Sequence, residues 1–291
     1  VSIGVTSFYV EHSKWSDCGL FRGMIGLWGD DLGELSRSIG GLLRHPFDDT
    51  VPLTEAQRQD LLLRSASELL AASAQRRADA AASGAARKIG GVCRDFALLG
   101  ATALRERKVP ARLRVGFADY LRPGFFESHW VCEWHDGSQW RLLDVQAASK
   151  PVQGASYAFD PMDVPRDRFL LAADAWRLTK SGSGCDPARF GLSSIPGLRG
   201  RWFIASNLLR DEAAVMKVEL KPWDVWGDIG RARRLAPAEL DGVAAFRTAA
   251  ERLEALAACD GSDPPTWRES WAPPERVTSY PQGEPLVIRI A

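Results

Sequence analysis

A helical run headed by a cysteine, Cys93-Arg94-Asp95-Phe96-Ala97-Leu98-Leu99-Gly100 and on to Arg107, begins directly after a Gly90-Gly91 turn signal. A histidine and an aspartate follow on two short β-prone stretches. That order constrains the chain more than any other feature. A thiol at a helix N-terminus sits where backbone N–H groups and the macrodipole favour the thiolate, with a pKa as low as ~3.5–7.5 beside a basic partner. Cys, then His, then Asp is the order of a nucleophile, a base and a group that orients the base.

Residues 129 to 135 and 138 to 145 are rich in β-branched and aromatic side chains and flank Asp136-Gly137, a two-residue hairpin signal. With Asp136 and Gly137 as the loop, residue 135 faces 138 and His129 faces Asp144. Directly opposed residues bring their Cβ atoms to about 4.5–5.5 Å, within reach of an imidazole-to-carboxylate hydrogen bond. A slip of one residue would send the two side chains to opposite faces. The expectation is a His129–Asp144 dyad across a tight hairpin.

These residues carry a resemblance. Gly91-Val92-Cys93-Arg94-Asp95-Phe96-Ala97, Val109-Pro110-Ala111-Arg112-Leu113-Arg114-Val115-Gly116-Phe117, His129-Trp130-Val131-Cys132-Glu133-Trp134 and Trp140-Arg141-Leu142-Leu143-Asp144 together resemble the core of the transglutaminase-like superfamily. The match runs over residues 86 to 146. Segments around Phe159 to Asp167, Asn207 to Asp211 and Lys217 to Asp224 resemble a bacterial branch of that superfamily whose substrate is undefined. The resemblance implies an α+β, papain-like fold, with a helix-borne cysteine packed on an antiparallel sheet and helical additions at both ends. It also implies a Cys93, His129 and Asp144 triad.

Composition bounds the alternatives. The 291 residues are 45% hydrophobic, enough for a substantial core, and fit a single elaborated domain: an N-terminal helical segment 1–85, the catalytic core 86–146 and a C-terminal extension 147–291. Lys plus Arg equals Asp plus Glu at 37 each, with no basic stripe interleaved with aromatics, so nucleic-acid binding has no electrostatic footprint. No stretch of about eighteen apolar residues occurs, and no signal-peptide pattern opens the sequence. Five cysteines without close pairing argue against a disulfide framework and against zinc, and suit a reducing cytoplasm. No cofactor or metal is expected.

Along the chain, the first fifty residues mix aromatic and glycine-rich pieces and read as helical turns and loops without a phosphate loop. Thr54-Glu55-Ala56-Gln57 is a capping box that should start a helix running into the mid-seventies. Within the Cys93 helix, Phe96, Ala97, Gly100, Ala103 and Leu104 form one burying stripe, and Val109-Pro110 ends it. Alternation from Ala111 to Phe117 gives a half-buried strand with Arg112 and Arg114 on its outer face. Helices are expected over 167–180, over 206–217 with Ser206 as N-cap, and over 237–258; residues 260–285 read as an extended tail, and 286–290 as a strand.

The segment Asp119 to Ser128 reads as a loop bordering the cleft, with Tyr120, Arg122 and Phe125 as substrate contacts. Trp130 and the Trp223/Trp226 pair are candidate cleft walls. His12, His45 and His135 lack partners at ligand spacing and read as solvated or satisfied. Cys132, on the face of its strand opposite His129, reads as core, and Cys18, Cys185 and Cys259 have no context for reactivity. Ser181 to Gly184 reads as flexible loop, and no serine-nucleophile elbow occurs. Arg94 and Asp95 are expected to brace the site, and the Cys93 backbone N–H to act as an oxyanion donor.

The expected chemistry is acyl transfer through a thioester acyl-enzyme. The first expectation is amide-bond formation on a small molecule, with a small-molecule or peptide acyl donor or a carrier-protein thioester, and an amine acceptor. A cytosolic cysteine amidase or protease is the alternative, and a non-catalytic binding module the third.

Overall fold

The computed structural model describes residues 7–47, 51–83, 87–150, 157–180, 182–259, 266–281 and 283–290. Two units partition the chain, one of residues 1–113 and 131–164, the other of 114–130 and 165–291. Strands β3 (Ala111–Arg122) and β4 (Phe125–His135) run through both.

The rest of the first unit comprises α1 (Ser7–Val10), α2 (Arg22–Ile25), α3 (Leu32–Gly40), β1 (Leu43–Arg44), α4 (Glu55–Asp60), α5 (Ala66–Ser83), β2 (Ile89–Gly90), α6 (Cys93–Glu106), β5 (Trp140–Leu143) and α7 (Val145–Ala148). The second adds β6 (Phe169–Leu171), α8 (Ala172–Leu178), β7 (Phe190–Gly191), α9 (Arg201–Val215), β8 (Asp224–Val225), α10 (Ile229–Ala232), α11 (Pro237–Gly242), α12 (Ala244–Ala258), β9 (Arg276–Ser279) and β10 (Leu286–Arg289). The chain is thus α+β, and its main sheet has the strand order β5-β4-β3-β6, with β7 pairing β4.

In the first unit, helix α6 is the central element. Every residue from Cys93 to Arg105 is buried, so it lacks the single apolar stripe expected from its sequence and is enclosed on all sides. Its last turn ends at Glu106, followed by Lys108 in the left-handed region (φ 59°). An acid at the negative end of a helix is unfavourable by itself. Glu106 accepts hydrogen bonds from His12 Nε2 at 2.9 Å, Cys18 Sγ at 3.2 Å and Arg22 Nε at 2.7 Å, which bind the N-terminal segment to the helix end. His12 is therefore a satisfied histidine, as its lack of ligand-spaced partners suggested. Burial lowers its pKa by more than the adjacent Glu106 raises it. Burial alone would raise Glu106, but hydrogen bonds from Cys18 and Arg22, with the charges of His12 and Arg22, bring it below its ordinary value.

In the second unit, α9 is the hub. It is buried along nearly its whole length and packs against α8, α10, α11 and α12, with Phe203, Leu208, Phe246 and Leu253 in the core. Asp211 anchors it: its carboxylate accepts Arg114 Nε at 3.0 Å, Arg114 Nη2 at 2.8 Å and the Val115 N–H at 2.7 Å. In the first unit, Arg112 is held likewise by Glu133 at 2.6 Å, its guanidinium 3.9 Å from the centroid of the Trp140 ring. The half-buried strand expected over Ala111 to Phe117 is thus covered on both faces, because each arginine carries a buried counter-ion.

Several expected elements differ for local reasons. The Thr54 capping box forms, but the helix stops at Asp60, whose carboxylate binds Arg76 and the Gly90 N–H. A second capping box, Ser65 with Glu68, then starts α5. Gly90 lies in a strand, not a turn, pairing in parallel with Arg44; a Cβ there would stand 2.0 Å from the Gln57 carbonyl oxygen, so only glycine allows this approach. Asp119 to Ser128 is no loop: β3 and β4 continue to a turn at Pro123-Gly124. The helix expected from Ser206 begins five residues earlier, and Ser206 Oγ donates to the Trp202 carbonyl inside it. The 237–258 helix breaks at Val243, whose backbone is extended, and the 167–180 helix begins only after strand β6. Strand β10 forms where residues 286–290 suggested it, paired antiparallel with β9.

Two outcomes follow from these contacts. Asp211→Ala should lower unfolding free energy by about 3–5 kcal/mol, read from urea denaturation, because it strands a buried guanidinium. For pH, the unfolded state binds more protons than the folded one just below 6.5, where His12 is held back, and again below 4.5 at Glu106. The contributions of these two groups are therefore fully present above 6.5 and are lost as pH drops through both ranges. His12→Gln should flatten the upper part of that decline in the urea midpoint.

Candidate active site

The cysteine begins its helix as the sequence indicates. Val92 is extended (φ −112°, ψ 170°), and Cys93 is the first residue of α6. Asp95, three residues beyond Val92, accepts the Val92 N–H on Oδ2 at 3.0 Å and Arg94 Nη1 on Oδ1 at 3.0 Å. Arg94 and Asp95 are both fully buried, so the ion pair expected to brace the turn is built into the interior. Helix α6 also lies close to α7: a Cβ on Gly100 would stand 2.6 Å from Val145 Cγ2 and 3.7 Å from Cys132 Cβ.

Asp144 has a role that hairpin reasoning missed. It is the N-cap of α7, with Oδ1 accepting the Ala147 N–H at 2.9 Å, its own N–H donating to Pro161 O, and its side chain fully buried. An aspartate followed by Val-Gln-Ala-Ala was the available cue.

The β4–β5 register corrects the two-residue hairpin. His135 faces Trp140 and Cys132 faces Leu143, so the loop spans Asp136 to Gln139. Asp136 explains the longer loop: Oδ1 accepts the N–H groups of Ser138 and Gln139 and the Ser138 hydroxyl, while Oδ2 accepts Arg141 Nε. These bonds, led by that from Arg141, hold the Asp136 carboxyl well below the usual range. Continuing the ladder by one step sets Asp144 opposite Val131 rather than His129. The shift is by two residues, so among the paired residues of β4 and β5 it preserves the alternation of faces.

His129 lies in the part of β4 that belongs to the second unit and is 3% exposed, its ring centroid 6.4 Å from that of Phe169. In the same unit Tyr120 is half-buried and Arg122 exposed near the end of β3, and Phe125 opens β4 across the turn. Trp130 is buried, whereas Trp223 is half-buried with Lys221 Nζ 5.5 Å from its ring centroid.

The other cysteines separate by environment. Burial pushes the Cys132 thiol up to about 12, in keeping with a core residue. Cys18 is pushed up to about 11 by burial and by the Glu106 carboxylate that its thiol donates to. Cys185 and Cys259 are partly exposed. Among the described residues, no group of three or more His, Cys, Asp and Glu side chains is placed to hold a metal ion, and no helix is long and apolar enough to cross a membrane.

No family model matches the chain, and no curated protein matches it. One similar solved structure is that of a "Putative Cysteine Protease from Cytophaga hutchinsonii", 19% identical, with a TM-score of 0.34 over 56% of this chain. The match covers 44% of that protein's length.

Thiol chemistry should sort the cysteines. A thiol with a raised pKa carries little thiolate at neutral pH, so brief iodoacetamide treatment of the native protein at pH 7.5 should leave Cys18 and Cys132 unmodified. Peptide mass mapping reads this directly, and labelling of either within the first equivalent would contradict the environments described.

Proposed function

We propose that this chain is a cysteine-dependent acyl-transfer enzyme, with Cys93 as nucleophile, His129 as general base and Asp144 as the group that orients the imidazole. The observation that carries the reading is the placement of Cys93 as the first residue of a helix enclosed on all sides, its entry fixed by Asp95. Asp144 stands at the start of the helix packed against it. A nucleophile on so constrained a backbone is positioned before substrate arrives. The superfamily resemblance of the surrounding motifs supports the same three residues.

In this reading the Cys93 sulfur attacks the acyl carbon, a C–S bond forms, and the proton held on His129 passes to the departing amine or thiol. The acceptor then loses its proton to His129, attacks the thioester and releases the thiolate. An oxyanion forms in each half, and the Cys93 backbone N–H at the helix start is the donor we assign to it. Tyr120, Arg122, Phe125, Trp130 and Trp223 are the side chains we assign to substrate contact.

Amide-bond formation from a small-molecule, peptide or carrier-protein acyl donor to an amine is the preferred outcome. Hydrolysis, as an amidase or protease, differs only in using water as the acceptor. Incubation with a panel of acyl thioesters and primary amines should yield amide faster than free acid, measured by mass spectrometry; free acid alone across the panel would favour the hydrolase. Cys93→Ala should abolish turnover and the acyl adduct in the intact mass, and His129→Ala should slow acylation about 10²–10⁴-fold. Full activity in Cys93→Ala would overturn the assignment, and wild-type protein that forms no adduct with any donor would favour a binding module.

A further inference from the structure

In the second unit, the sheet ordered β10-β9-β8 leaves one long side of β10 without a neighbour among the described strands. The Ile290 N–H donates to the Glu275 carbonyl at 2.8 Å, which continues the β9–β10 register by one step. Hydrogen-bonded and non-hydrogen-bonded pairs alternate along an antiparallel ladder. Ile288 therefore bonds to Val277, while the N–H and C=O groups of Val287 and Arg289 point away from β9. Pro285 takes the next outward position and has no N–H to offer, as suits an edge. Val287 is 67% exposed.

The exposed face of this sheet carries a particular charge arrangement. Arg276 and Arg289 are opposed in a non-hydrogen-bonded pair, where Cα atoms stand about 4.5 Å apart, and both are exposed. Like charges so placed repel each other. Among the described residues, no carboxylate is hydrogen-bonded or ion-paired to either guanidinium. Thr278 and Val287 share their face, whereas Val277, Ser279 and Ile290 on the reverse face are buried.

A second copy of the chain does not suit this edge. Outward groups must meet outward groups, so pairing β10 with its own counterpart sets another Arg276 and Arg289 on the same face and adds to the repulsion. An acidic strand meets both demands. Its backbone completes the hydrogen bonds of Val287 and Arg289, and carboxylates at every second position lie beside the two guanidinium groups.

We propose that the free side of β10 takes up an extended acidic segment of another protein as a fourth strand, held by the outward backbone groups of Val287 and Arg289 and by the Arg276–Arg289 pair. The partner carries Asp or Glu at alternate positions. This surface belongs to the second unit alone and does not depend on Cys93 being a nucleophile.

The test uses the full chain and a short fluorescein-labelled peptide in which glutamate alternates with threonine, with a lysine–threonine peptide as control. Fluorescence anisotropy should rise saturably with the glutamate peptide, less at high salt, and not at all with the lysine peptide. Arg276→Glu and Arg289→Glu, both at exposed positions, should each weaken binding about tenfold or more. Val287→Pro deletes an N–H that β9 does not use and should weaken binding to a similar degree with both arginines intact, whereas Val287→Thr should bind as wild type. Should Val287→Pro fail to fold by circular dichroism, a glutamate peptide N-methylated at alternate residues replaces it and should fail to bind. Equal binding of the lysine peptide, or binding unchanged in folded Val287→Pro or by N-methylation, would overturn the proposal. So would self-association in sedimentation velocity that Val287→Pro abolishes, since the occupant would then be a second copy.

Discussion

The carboxylate of Asp211 is the point on which the second unit turns. It meets the guanidinium of Arg114 in a two-pronged pair and takes the backbone N–H of Val115 as well, so a helix and a strand distant in sequence are tied through charge in the interior. Burying such a pair is expensive in desolvation, and an apolar pair of equal volume would often be as stable. What the ion pair adds is direction. Hydrogen-bond geometry fixes the rotation of α9 and with it the set of residues, Phe203, Leu208 and Arg210 among them, that this helix presents to its neighbours.

The first unit uses charge in the same way at smaller scale. Arg94 and Asp95 form an ion pair within the first turn of α6, and Arg112 and Glu133 form another within the sheet. The Asp95 carboxylate serves two purposes, holding the Val92 N–H and compensating Arg94. The backbone that presents Cys93 is consequently set by polar contacts that water does not reach.

The sequence was informative where a signal is local. The start of α6 at Cys93, the Thr54 capping box, the core placement of Cys132 and the strand near residue 286 are each written in a few adjacent residues. Failures came where the deciding group is remote. Nothing near Ala111 to Phe117 announces that Arg112 and Arg114 are buried, because Glu133 and Asp211 lie far along the chain. The four-residue loop arose from competition by the Asp136 side chain, which captured backbone donors that a two-residue turn would have used. Two helices expected to be continuous break, one at Asp60, whose carboxylate binds Arg76, and one at Val243, whose backbone is extended and caps the helix that follows. For the candidate site, sequence marked the helix-borne thiol but hid that Asp144 also caps a helix.

Glu106 carries one more implication. At the terminus of α6 where the helix's own carbonyl groups point, a negative side chain is tolerated because His12, Cys18 and Arg22 surround it. All three come from the first 25 residues. Trimming that stretch would therefore leave an uncompensated anion at the base of the very rod whose opposite tip, thirteen residues back along the chain, bears Cys93.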